Sequence, residues 1–175
     1  MNQINMGLFK VFLQKIYQFT KIVWFNFSDV LDFQKKLNII CLGDSHIAVF
    51  RAISHLKLIP KLNFDVISVS GATAQGIVNP NSQTNALEIF ERRLKLAKPW
   101  QPIFIQLGEV DCGFVIWYRS KKYGVSIDQQ LEFSIKNYCA FLEKIKAMGF
   151  AHIYVLSAPL PTIADDTKWG EVDNA

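Results

Sequence analysis

The chain has 175 residues, half of them hydrophobic, and a formal net charge of +4. That length fits one domain with a substantial core. Its lysines and arginines are scattered, with no basic run interleaved with aromatics to point to nucleic acid. The three cysteines, Cys41, Cys112 and Cys139, are widely spaced and show no Cys-x-x-Cys metal pattern. Cys41 and Cys139 fall on predicted apolar faces. Buried free thiols are therefore expected, which favours a reducing, cytoplasmic setting.

Residues 1–36 read as an amphipathic helical extension. Leu8, Phe12, Ile16, Phe19 and Val23 recur at spacings of three and four, with Lys10, Gln14, Gln18 and Lys21 mostly between them. Lysines interrupt every apolar run well short of the ~18 residues a membrane span requires. No compact apolar region leads to a small-residue cleavage site, so this is not a signal peptide pattern. The stripe fits either a membrane-surface or protein contact, or packing on the domain itself.

The domain proper is expected to start at Leu37. Leu37–Leu42 is an apolar run of strand length, broken by Gly43. Asp44-Ser45 can open a helix, and Ile47, Phe50, Ile53 and Leu56 then recur at helical spacing. Such a turn holds Ser45 at the C-terminal edge of a strand and aims the free N–H groups of the first helical turn at the same place. A nucleophile and a site for negative charge become neighbours there. Simple helix capping by Ser45 is the alternative.

A second strand is expected over residues 63–69, followed by the small-residue loop Ser70-Gly71-Ala72-Thr73-Ala74-Gln75-Gly76. A helix over about 84–98 carries Leu87, Phe90, Leu94 and Leu96, and Pro99 and Pro102 close it. The third strand, 103–107, leaves through Gly108-Glu109-Val110-Asp111. Phe114–Tyr118 is aromatic, and Trp117 and Tyr118 fit either a sugar-stacking surface or a buried helix face. Ser126-x-x-Gln129 has the form of a capping box. It opens a helix whose stripe is Leu131, Ile135, Tyr138, Leu142 and Ile145, ended by Gly149. A fourth strand is expected at 152–156.

Alternating strands and helices imply right-handed crossovers, a parallel sheet and helices on both faces. The expectation is a three-layer α/β/α sandwich, flavodoxin-like, with strand order 2-1-3-4. Ligands of such sheets bind beyond the C-terminal strand ends. The loops at Gly43, Gly71 and Gly108 all fall on that edge.

These three loops, in this order, resemble the blocks of the SGNH/GDSL hydrolase family over about residues 37–160. The resemblance implies that Ser45 is the nucleophile and that the N–H groups of Ser45 and Gly71 serve the oxyanion hole. Asp44, Gly108 and Asp111 would support the loops. His46, Glu109 and Arg119 are candidate substrate contacts. The implied chemistry is esterase or deacetylase action on acyl esters, or O-acetyl transfer, with polysaccharide esters among the substrates. It calls for no cofactor and no metal. A carbohydrate-binding module on the same fold is the rival reading.

The sequence departs from the family pattern twice. The third block's Asn, an oxyanion donor, is Val110 here, and valine donates nothing. The last block, Asp-x-x-His, is absent. None of the three histidines is expected to reach Ser45. His46 is its immediate neighbour, and adjacent residues on a helix do not face each other. His55 lies roughly 15 Å along the helix. His152 starts a strand whose length, about 17 Å, separates it from the site. The expectation is therefore an incomplete domain over 37–175 whose catalytic base lies downstream of Ala175.

Overall fold

The computed structural model describes residues 36–159. The expected helix of residues 1–36, except Lys36, and residues 160–175 lie outside the described residues.

Four strands form one sheet: β1 (Leu37–Gly43), β2 (Leu62–Ser68), β3 (Ile103–Gln106) and β4 (Ile153–Val155). The order is β2-β1-β3-β4, and all three pairings are parallel. The protein is therefore of the α/β class, with the strand order expected from its alternating pattern. Helix α1 (Val49–His55) follows β1 through a 3-10 turn at Ser45–Ala48. Helix α2 (Ala86–Leu94) lies between β2 and β3. A π-helical turn at Asp111–Val115 leads into α3 (Ile116–Tyr123), and α4 (Ile127–Ala147) precedes β4.

Alternation along the strands supplies both faces of the sheet with apolar side chains. On one face, Phe64 of β2 and Phe104 of β3 receive Phe50 from α1, with ring centroids 5.0 and 5.7 Å away. On the other, Ile40, Leu42, Ile103 and Ile105 share a core with Phe90 of α2 and with Phe141 and Ile145 of α4. Burying a side chain of this size is worth about 1.5–3 kcal/mol, so these two clusters account for much of what fixes helices to sheet.

Three details differ from the sequence reading. Helix α2 is shorter than expected: Asn85 is left-handed at its start, and Leu96 lies past its end, 78% exposed. The capping box at Ser126 forms as expected, Gln129 N–H donating to Ser126 Oγ at 3.2 Å and Ser126 N–H to Gln129 Oε1 at 3.2 Å. The buried face of the helix it opens, however, is rotated. Leu131 and Ile135 are exposed, while Gln130 and Ser134 are buried with Phe141 and Ile145. Cys41 is buried as expected, but Cys139 is exposed, because its helix turns it away from the core.

Candidate active site

The edge of the sheet is assembled from Gly43 outward. Gly43 pairs with Ser68 on one side and Gln106 on the other. A Cβ at Gly43 would overlap the Gln106 carbonyl oxygen, so only glycine lets β1 and β3 close here. Beyond it, the Asp44 N–H donates to Gln106 O at 3.2 Å, and Ser68 Oγ donates to Asp44 O at 2.9 Å. The start of the turn is thereby fastened to both neighbouring strands.

Asp44 caps the 3-10 turn. Its backbone is extended, its side chain is fully buried, and Oδ1 accepts the His46 N–H at 2.9 Å. Ser45 is the first residue of the turn and is exposed. Asp44 therefore takes the capping role, and Ser45 stands exposed at the strand's C-terminal edge. The imidazole of His46 turns back toward two carboxylates: Nδ1 is 3.2 Å from Asp44 Oδ1 and 3.7 Å from Glu109 Oε2. The Ser45 turn and the third loop thus meet through His46. His55 ends α1, and His152 precedes β4 at the opposite edge, where its carbonyl accepts the Ile103 N–H at 2.8 Å. Neither approaches Ser45, as the spacing implied.

The second loop turns at once after β2. The Ala72 N–H donates to Val69 O at 3.1 Å, closing a β-turn with Gly71 at its third position and φ at +74°. That dihedral is the left-handed one a type II turn demands, which is why glycine stands there. Gly71 is exposed on the same edge as Ser45.

Gly108 leaves β3 with φ at +116°, again a backbone suited to glycine, and its carbonyl accepts the Cys112 N–H at 2.9 Å. Val110 is already helical, with φ −62° and ψ −33°, and offers the edge no side-chain donor. Asp111 turns inward. Its Oδ2 accepts the Ala74 N–H at 2.7 Å; its Oδ1 accepts the Gln75 N–H at 2.8 Å and the Ser134 hydroxyl at 3.3 Å. It therefore ties the third loop to the second rather than to Ser45. Burial pushes its carboxyl above the ordinary range, against the opposing pull of those hydrogen bonds.

Gln75 is the centre of a buried polar network that the sequence did not disclose. Its Nε2 donates to Gln130 O, Gln130 Oε1 and Ser134 Oγ at 3.2, 3.1 and 3.2 Å. Its Oε1 accepts from Arg119 Nη1, and its carbonyl accepts from Asn137 Nδ2 at 2.5 Å. The guanidinium of Arg119 is thus engaged with the loop. The available signal was Gln130, Ser134 and Asn137, spaced i, i+4, i+7 on one helix. Such a polar stripe is read as solvent-facing until a buried partner is known.

Trp117 does not lie in the core. It is 50% exposed, and its indole N–H donates to Cys112 O at 2.6 Å. Phe114 and Tyr118 stack with centroids 5.3 Å apart, and Lys122 sits over the Tyr118 ring. The Cys112 thiol is a poor nucleophile: burial and then the charges of Asp111 and Glu109 push its pKa up.

Among the described residues, no group of histidine, cysteine, aspartate and glutamate side chains has an arrangement that could hold a metal ion. No described helix is long and apolar enough to cross a membrane. No protein-family model matches the chain, and neither a curated protein nor a solved structure shows significant similarity to it.

Proposed function

We propose that this chain carries the nucleophile and oxyanion side of an SGNH/GDSL-type serine ester hydrolase, built on a three-layer α/β/α sandwich. The observation that carries the reading is the turn after β1. There a fully buried Asp44 takes the capping role and leaves Ser45 exposed beside the Gly71 turn and the Gly108–Asp111 loop. A serine needed only as a cap would have its own oxygen occupied by the turn's N–H groups.

In this mechanism Ser45 Oγ attacks the carbonyl carbon of an acyl ester, such as an acetylated sugar; the hydroxyl proton passes to solvent, the ester C–O bond breaks, and the alcohol departs with a proton from solvent. The Ser45 and Gly71 N–H groups stabilise the tetrahedral oxyanion. Val110 withholds the third donor; loss of one donor costs ~10²–10³ in rate where an enzyme relies on it. Water as acyl acceptor gives an esterase or deacetylase, and a sugar hydroxyl gives an O-acetyltransferase. The rival reading is a carbohydrate-binding module. Its support is that no histidine side chain among the described residues hydrogen-bonds the Ser45 hydroxyl.

The test is p-nitrophenyl acetate with the full 175-residue chain, following p-nitrophenol release and the intact mass of the protein. Acetylation confined to Ser45 and absent from Ser45→Ala is the expected result, with slow overall turnover. Identical behaviour of the two proteins refutes the enzyme reading. Binding of acetylated oligosaccharide without acetylation of Ser45 favours the module.

A further inference from the structure

Two carboxylates converge on one nitrogen of His46. Its Nδ1 lies 3.2 Å from Asp44 Oδ1 and 3.7 Å from Glu109 Oε2. Ionised carboxylates only accept hydrogen bonds, so Nδ1 is the donor here, and in the neutral ring Nε2 then keeps its lone pair. The His46 side chain is 42% exposed and that of Asp44 is not exposed at all. The Nδ1 edge therefore faces the buried carboxylate, and the Nε2 edge faces outward, on the turn that presents Ser45.

Asp44 has a second feature that capping does not explain. Its Oδ2 is buried and has no hydrogen-bond partner among the described residues. A buried carboxylate oxygen without a donor is rare in a native fold and calls for a reason. An imidazole held at Nδ1 by a carboxylate, with Nε2 free, is the base and its orienting group.

The direct partner of the Ser45 hydroxyl is not His46, since side chains of consecutive residues on a helical turn diverge. The group that arrives second is differently placed, because it approaches the acyl carbon from solvent. We propose that His46 Nε2 is the general base for the acyl acceptor in the deacylation of Ser45, an inference that rests on Ser45 being the nucleophile. Nε2 takes the proton of the acceptor hydroxyl, water in the simplest case, as its oxygen bonds to the acyl carbonyl carbon. The carbonyl electron pair moves to oxygen and then returns. The bond from acyl carbon to Ser45 Oγ breaks, and Oγ receives the proton from the imidazolium through solvent. His46 and Ser45 are restored, and the acid departs. Asp44 and Glu109 are positioning residues in this step.

The experiment uses the full chain and p-nitrophenyl acetate, whose leaving group needs no acid. The burst of p-nitrophenol reports acylation, and loss of the acetyl mass from purified acetyl-protein reports deacylation. General bases contribute typically ~10²–10⁴-fold. For His46→Gln, the ratio of deacylation to acylation rate should fall by about that factor, so acetyl-Ser45 accumulates. Glutamine retains a donor toward Asp44, and a circular dichroism spectrum matching wild type confirms the fold. Unchanged deacylation in His46→Gln overturns the inference while leaving Ser45 as nucleophile. Acylation and deacylation slowed equally overturn it too, since His46 then acts on Ser45 itself. If Ser45 is acetylated in neither protein, the reading of Ser45 as nucleophile fails and this assignment fails with it.

Discussion

Replacing Asp111 with asparagine tests whether one buried carboxylate holds the second and third loops together. Asp111 receives the Ala74 N–H on Oδ2, and the Gln75 N–H and the Ser134 hydroxyl on Oδ1. Asparagine keeps one acceptor oxygen and puts an NH₂ group where the other stood. With its oxygen toward Gln75 and Ser134, its NH₂ meets the Ala74 N–H, donor against donor. Ala74 is buried, so that N–H has no route to water. One unsatisfied buried donor costs about 1–3 kcal/mol. Relief of the carboxylate's own desolvation offsets part of this, which puts the net cost in the lower half of that range. Asp111→Ala strands the Gln75 N–H as well, for about 2–6 kcal/mol in all. Ser134 loses little, because its hydroxyl also reaches Gln130 O at 3.1 Å. At ~2–4 °C per kcal/mol for a chain of this size, melting temperature should fall from wild type to Asp111→Asn and again to Asp111→Ala. Thermal and urea unfolding followed by circular dichroism measure both steps. An asparagine variant within ~0.5 kcal/mol of wild type, or an alanine variant no worse than asparagine, refutes the reasoning.

Two other expectations follow from the same edge. The Asp111 carboxyl is raised above its ordinary range by burial, so its contribution to stability is complete below the unfolded pKa and is lost as pH rises through the folded one. The lead of wild type over Asp111→Asn should therefore narrow with rising pH across that window, and a lead that grows with pH contradicts the assignment. Gly43→Ala forces a Cβ against the Gln106 carbonyl, a backbone clash that a side-chain rotation cannot relieve. It should cost at least ~1–3 kcal/mol in urea unfolding, and unchanged stability would show that β1 and β3 tolerate separation at this point.

What was legible in the sequence was what local chemistry decides. Apolar runs bounded by Gly43, Gly71, Gly108 and the prolines gave four strands, and their alternation with helices gave a parallel sheet in the observed order. The Ser126 cap was equally plain, since both of its hydrogen bonds are local. The inward face of α4 was not. Its apolar stripe through Leu131 and Ile135 is a sound amphipathic pattern, yet the helix rotates to lay Gln130 and Ser134 on Asp111 and Gln75. The carboxylate's demand for donors comes from a loop 23 residues away from Ser134, and no local periodicity can register it. The aromatic turn misled in the same way. Trp117 satisfies its indole N–H on the carbonyl of Cys112, five residues back, and stays at the surface.

At the edge itself, the two aspartates separate into different roles by their environments. Asp111 has every donor it can use: two backbone N–H groups and a hydroxyl, all buried. Its two oxygens are committed to holding Gln75 and the loop that begins at Gly71, and nothing in its contacts reaches Ser45 or His46. Asp44 is the opposite case, equally buried but with one oxygen on His46 and the other without a hydrogen-bond partner among the described residues. A fold that needed only a capped turn could place asparagine or serine there without a charge to desolvate. A buried, incompletely paired carboxyl with an imidazole as its one side-chain partner among the described residues costs stability. This asymmetry of partners sets the two aspartates apart: Asp111 ties the third loop to the second, and Asp44 holds His46 on the turn that carries Ser45.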